Sequence, residues 1–231
     1  PHSMYLSGIQ RRDAEVTTRG EYGGIGVTIA PRDGQIVVTE VVEGGPAVVA
    51  GVQPGDEIVA VAGEKTGQTA FPELVQMMRG EVGTELELTV RHQPSKKVET
   101  LTIEREKIVL ETVKWEVLEP GVGLLTIEQF DRHSEDKIRE GLEALREKNV
   151  GGLILDLRNN SGGLLRQAVD VCDFFLNEGL IVKLESRIAS EEDSFGADSG
   201  TVLPTDVPIV ALVDRGSASA AEIVAGALKY H

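Results

Sequence analysis

The chain has 231 residues, 41% of them hydrophobic, with 23 basic against 38 acidic side chains and a formal net charge of −15. That length allows one large domain or two small ones with ample apolar material for a core. The acidic excess, with no basic stripe anywhere, excludes a surface built to displace counterions from nucleic acid or to bind an anionic membrane. A single cysteine, Cys172, excludes an internal disulfide, and the four histidines His2, His92, His133 and His231 are scattered, so no metal and no cofactor is expected. No apolar run reaches the roughly 20 residues of a membrane span, so no span is expected in this chain.

In chain order, Pro1-His2-Ser3-Met4 reads as an expression-tag remnant, and residues 1–21 as that remnant with a polar segment, a short helix or linker carrying Arg11, Arg12, Asp13, Glu15, Arg19 and Glu21. Residues 22–105 are strand-rich: Ile25 to Ile29, Gln35 to Val42, Glu57 to Ala62 and Glu85 to Arg91 alternate or are β-branched. A helix over 71–79 interrupts them, with Phe71, Leu74, Val75 and Met78 on one face, Pro72 in the first turn and Gly80 at the stop. From 106 to 231 the pattern changes. An extended connector from Lys107 to Glu119 precedes a strand at Gly123 to Ile127, a helix capped by Ser134 and running to about Lys148, and a strand at Leu153 to Leu157. A helix from Leu164 to Leu176, a strand near Ile181 to Glu185, a polar stretch from Ser186 to Gly200, a strand from Pro208 to Val213 and a last helix follow. Strands alternating with helices predict βαβ crossovers and a largely parallel sheet. The fold class expected is a mainly-β domain over 22–105 followed by an α/β domain over 106–231.

In the first unit, Gly23-Gly24-Ile25-Gly26-Val27 places small residues just before a strand, where consecutive N–H groups can turn toward a carboxylate. Gly24, Ile25, Gly26 and Val27 are therefore the candidate peptide-binding residues, with the helix 71–79 closing a groove that accepts an extended chain by strand addition. The alternative is a plain tight turn. The segment resembles a PDZ domain of the type found in bacterial and plastid proteases. Tyr22 to Val27 is similar to the carboxylate-binding loop, and Gly45 to Ile58 to the P-A-x-x-A-G-x-x-x-G-D-x-I signature. Arg79-Gly80 with Gly83-Thr84 is similar to the end of the groove helix.

In the second unit, the strand Pro208 to Val213, the small-residue turn Asp214 to Ala218 and the helix from Ser219 put Ser219 at a strand-to-helix elbow. The Ala220 N–H at that helix start points where charge develops on an attacked carbonyl oxygen. Capping of the helix by Ser217 or Ser219 is the alternative. A second loop, Asn159-Asn160-Ser161-Gly162-Gly163, follows another parallel strand at its carboxyl end, where open α/β sheets place ligands. Gly162 or Gly163 would supply a second oxyanion N–H; an ordinary turn is the other reading.

Asp156 to Leu165 and Gly216 to Leu228 resemble the oxyanion-loop and nucleophile motifs of the carboxyl-terminal processing peptidases, or tail-specific proteases. The resemblance implies a serine endopeptidase with Ser219 as nucleophile, acting on protein or peptide substrates with free apolar carboxyl termini in the bacterial cell envelope or an organelle lumen. The family's base is a lysine in a T-F-G-K-G-like segment one strand after the nucleophile helix. No such segment occurs before the chain ends at Lys229-Tyr230-His231, and Lys229 lies nearly three turns from Ser219, so the resemblance implies an incomplete polypeptide, inactive by itself. A non-catalytic peptide-binding scaffold with a protease-like fold is the rival reading. Cys172 falls on the apolar face of its helix and is expected in the core. His133 is not expected to be a base, and Trp115 is expected to pack between the units.

Overall fold

The computed structural model describes residues 7–118, 121–188, 192–198 and 200–231; the expected tag remnant lies outside them. The chain forms two compact units, one holding Glu21–Leu110 with the residues up to Gln10, the other Arg11–Gly20 with Glu111–His231. The N-terminal segment is a helix, α1 (Gly8–Arg19), with no buried residue; Gly20, at φ +70°, closes it and donates to Val16 O at 2.8 Å.

The first unit contains β1 (Glu21–Gly24), β2 (Val27–Arg32), β3 (Gln35–Val41), α2 (Pro46–Val49), β4 (Glu57–Val61), β5 (Glu64–Lys65), α3 (Phe71–Met78), β6 (Glu85–Arg91), β7 (Val98–Glu104) and β8 (Glu106–Val109). β2-β3-β4-β6-β7 is an antiparallel sheet with β5 paired to β4, while β1 pairs only with β8, Tyr22 opposite Ile108. Gly23 and Gly24 thus belong to a strand of their own rather than to a loop. β7, which sequence alternation left unmarked, pairs with β6 along its whole length.

The core of this unit gathers Ile25, Ala47, Ile58, Leu74, Leu88 and Val90. Each fully buried aliphatic side chain contributes about 1.5–3 kcal/mol. The G-D signature is structural here. Gly51 and Gly55 sit at φ +95° and +94°, and the buried Asp56 carboxylate accepts from Gln53 N, Gln93 N and His92 Nδ1.

α3 begins with Pro72 in its first turn and ends on Arg105. The guanidinium donates to Met77 O at 2.8 Å, Met78 O at 3.1 Å, Glu85 O at 2.9 Å and Thr84 Oγ1 at 3.0 Å. The Met77 and Met78 carbonyls are among those that a helix end leaves without intrahelical partners. Charged donors to such carbonyls are worth about 1.5–3 kcal/mol each, less where water competes, so Arg105→Ala should cost the unit about 2–3 kcal/mol in urea denaturation. A loss below about 0.5 kcal/mol, the level of an ordinary surface substitution, would show that the clamp is ornamental.

The second unit contains β9 (Val113–Leu118), β10 (Val122–Ile127), α4 (Ser134–Glu147), β11 (Gly152–Asp156), α5 (Leu165–Asp173), β12 (Leu180–Leu184), β13 (Asp193–Gly196), β14 (Ile209–Leu212) and α6 (Ala220–Tyr230). Its sheet has the order β14-β11-β10-β9; β10, β11 and β14 are parallel and β9 is an antiparallel edge. β12 pairs with β13, a strand inside the stretch that composition marked only as polar. Leu125, Ile127, Leu153 and Leu155 of the sheet pack with Ile138, Leu142, Val171 and Val224 of the helices.

Two readings are corrected. Ser134 is the first residue of α4, not its cap: His133 holds that place without a side-chain cap bond, and Ser134 Oγ accepts from Asp131 N at 2.8 Å instead. Trp115 packs within the second unit, where a Cβ on Gly141 of α4 would lie 2.8 Å from the indole.

Candidate active site

β11 and β14 are parallel neighbours with Asp156 opposite Leu212, so the loops that follow them leave the same end of the sheet. Those loops are tied together. Ala218 N donates to Asn160 O at 3.0 Å, Ser217 Oγ donates to Leu157 O at 2.7 Å, and Asp214 Oδ1 accepts from Asn159 N and Gly216 N, both at 2.9 Å. The backbone N–H of Asn159, followed by those of Gly216 and Ser217, holds the Asp214 carboxyl below the usual carboxylate range. Ser217 therefore serves the turn. Asn160, fully buried, donates through Nδ2 to Ile127 O at 2.7 Å and accepts from Gly162 N at 2.8 Å.

Ser219 precedes α6 at φ +52°, ψ −115°, a region sparsely populated by residues other than glycine. Its N–H donates to Glu222 Oε2 at 2.7 Å. Gly162, at φ +104°, lies directly against it: a Cβ there would stand 2.7 Å from Ser219 Cβ and 3.0 Å from Ala220 N. Gly163, at φ +139°, forms a parallel bridge with Phe130, in which Phe130 N donates to Gly162 O at 2.9 Å and Leu164 N to Phe130 O at 2.8 Å. The Gly163 N–H takes no part in that bridge. The Ala220 N–H is one of the four that a helix start leaves without an intrahelical acceptor.

Ser219, Gly162, Gly163 and Ala220 are thus brought together, and the two glycines differ. Gly162 N–H is already held by Asn160, whereas the Gly163 N–H meets no acceptor among the described residues. The residues that sequence reasoning passed over are Asn160, Asp214, Glu222 and Phe130. Asp214 and Asn160 could have been suspected as Asx residues in turns, since each accepts from the N–H two residues on, but their other partners, Asn159 and Ile127, lie 55 and 33 positions away. Lys229, at the far end of α6, lines a different cavity of about 720 Å³ with His231, Leu228 and Phe175. Cys172 is buried, and burial, with Asp173 beside it, pushes its thiol up to about 12, as expected of a core residue.

In the first unit a cavity of about 330 Å³ opens between β2 and α3, lined by Ile25, Gly26, Val27, Phe71, Val75 and Met78 among others. β2 is an end strand of its sheet, so an edge is open to strand addition. Gly26 holds φ +73°, which favours glycine. Gly24 does not line the cavity; it sits in β1, where a Cβ would meet the Tyr22 ring. The Arg79 guanidinium lies 5.0 Å from the centre of that ring. Burial raises the Tyr22 hydroxyl pKa, with Arg79 opposing. Among the described residues no group of three or more His, Cys, Asp or Glu could hold a metal ion, and no helix is long and apolar enough to cross a membrane.

A groove of this kind followed by a serine elbow facing a glycine loop is the layout of a PDZ-bearing serine-type peptidase family. Residues 121–231 match peptidase family S41 and residues 37–92 match the PDZ domain. The chain belongs to the carboxyl-terminal processing peptidases of that family. It is 36% identical over 235 residues to the carboxy-terminal-processing protease of Bartonella bacilliformis, covering 100% of this chain and 54% of that protein. With the chloroplastic carboxyl-terminal-processing peptidase 2 of Arabidopsis thaliana it is 33% identical, over 99% of this chain and 47% of that protein. A solved S41 family protein from Bacteroides fragilis shares the fold, with a TM-score of 0.54 and 18% identity over 100% of this chain and 71% of its own. The chain spans about half the length of the curated relatives it matches.

Proposed function

We propose that the protein is a serine endopeptidase that selects proteins by a free apolar carboxyl terminus and cleaves them upstream of it. The contact of Gly162 with Ser219 and Ala220 at the strained elbow carries this reading. The terminal carboxylate meets the N–H groups around Gly26, the chain adds along the β2 edge, and the last side chain fills the apolar cavity between Phe71, Val75 and Met78. Ser219 Oγ then attacks a carbonyl, and the N–H groups of Ala220 and Gly163 hold the oxygen that becomes negative. The hydroxyl needs an adjacent base, which the family resemblance assigns to a neutral lysine; such a base takes the serine proton and returns it to the leaving amine, and water then releases the acyl group. The strained backbone at Ser219 supports the enzyme over a scaffold of the same fold, in which a serine here would serve as the N-cap of α6 in its capping box with Glu222. Bacterial and chloroplastic relatives support placement in the bacterial cell envelope or an organelle lumen.

A protein substrate ending in an apolar residue should lose kcat/KM by about tenfold or more when its terminal carboxylate is amidated, since charge-assisted bonds to it are removed. Equal cleavage of the two forms would remove the groove from substrate selection.

A further inference from the structure

The chain leaves the second unit after Gly20 and returns to it at Glu111. Both crossings are seated on one side chain. Thr112 Oγ1 donates to Asp131 Oδ2 at 2.7 Å, and Gly20 lies so close to the same carboxylate that a Cβ would stand 2.5–2.8 Å from its Cγ, Oδ2 and Oδ1. Asp131 is fully buried and also accepts from His133 N at 2.7 Å, so its oxygens are met by fixed donors rather than by water. The Thr112 carbonyl accepts from Glu128 N at 2.8 Å, which fixes the crossing from its other side.

The two residues before Asp131 hold the glycine loop. Gln129 Nε2 donates to Gly162 O at 2.7 Å, and Phe130 forms the two backbone bonds that fix Gly162 and Leu164 on either side of Gly163. Phe130 is itself fully buried, so this segment has no freedom to drift independently of its neighbour.

We infer that Asp131 is a positioning residue for the proposed reaction: it pins both chain crossings and the 129–131 segment to one point, and thereby sets the direction of the Gly163 N–H. This rests on reading that N–H as an oxyanion donor. Asp131→Asn keeps the shape and replaces one acceptor oxygen by a donor. In the folded variant, the Phe130 and Leu164 amides should exchange hydrogen about tenfold faster than wild type, while amides of β11 and α5 are unchanged. The active protein should lose kcat by about tenfold with KM and the Kd for a tail peptide held within about twofold.

Should Asp131→Asn not fold, Thr112→Val removes a single donor at constant shape and should give the same pattern at about threefold amplitude, restored by Thr112→Ser. Wild-type exchange at Phe130 and Leu164 in a folded variant overturns the inference. So does acceleration spread evenly over the unit, the mark of general destabilisation. Exchange needs no catalysis, which separates the two readings: the local pattern in a protein whose Ser219→Ala variant is no less active than wild type keeps the clamp and discards the peptidase.

Discussion

Ser219→Ala should lower kcat/KM for a tailed protein substrate by at least about 10⁴-fold, the scale on which removing a serine nucleophile acts, and should leave the fold intact. The backbone bond from residue 219 to Glu222 does not need the hydroxyl, but the Ser219 half of the capping box is lost, so the variant should be less stable by about 1 kcal/mol. Ser219→Gly separates chemistry from strain. A residue other than glycine held at φ +52°, ψ −115° costs about 1–3 kcal/mol. Glycine removes that cost and gives back about 0.5–1 kcal/mol in unfolded-chain entropy. The glycine variant should therefore be inactive and about 1 kcal/mol more stable than wild type in urea, the trade expected where a strained conformation is kept for function. Retention of a tenth or more of the activity by Ser219→Ala would remove it as nucleophile; a glycine variant less stable than the alanine one would show that the elbow stores no strain.

The elbow is legible in sequence because its ingredients are local: a β-branched strand, small residues, then a helix with apolar spacing. Gly162 and Gly163 are legible as a pair for the same reason, but their difference is not. Which N–H is taken depends on Asn160, whose position is set in turn by a bond to Ile127 O on a neighbouring strand. Ser134 misled because serine before an apolar helical run is the usual cap, and here a local turn bond from Asp131 N, three residues earlier, claims the hydroxyl. Trp115 misled because alternation says which face a side chain occupies, not which helix lies over that face; the missing Cβ of Gly141 is what admits the indole. β13 escaped because a four-residue strand of Asp, Ser, Phe and Gly has almost no apolar alternation, and only pairing with β12 makes it a strand. Long-range polar contacts such as those of Asp131 and Asp214 leave no trace in local periodicity, and these are the contacts that aim the site.

Gly163→Ala should be the most damaging single methyl in the second unit. Its Cβ would fall far inside van der Waals contact distance of the Phe130 carbonyl oxygen, which is backbone, buried and already bonded to Leu164 N, so nothing flexible can yield. The φ of +139° adds a conformational cost that glycine alone escapes. A loss above about 4 kcal/mol, or failure to fold, is expected, since overpacking against fixed backbone, strain and a broken bridge act together. Gly162→Ala should differ in kind. Its Cβ would meet Ser219 Cβ at 2.7 Å and, less closely than Gly163 meets Phe130, the backbone of the nucleophile loop at Ala218 O, 2.8 Å, and Ala220 N, 3.0 Å, so the variant should fold with a smaller loss while pushing Ser219 out of line and losing most activity. In the Ser219→Gly background that contact is absent, and the stability cost of Gly162→Ala should shrink by about 1–2 kcal/mol, the coupling expected of residues in direct contact. Additive losses in that double-mutant cycle would mean that the two loops do not touch at these positions, and the oxyanion arrangement built on their contact would have to be abandoned.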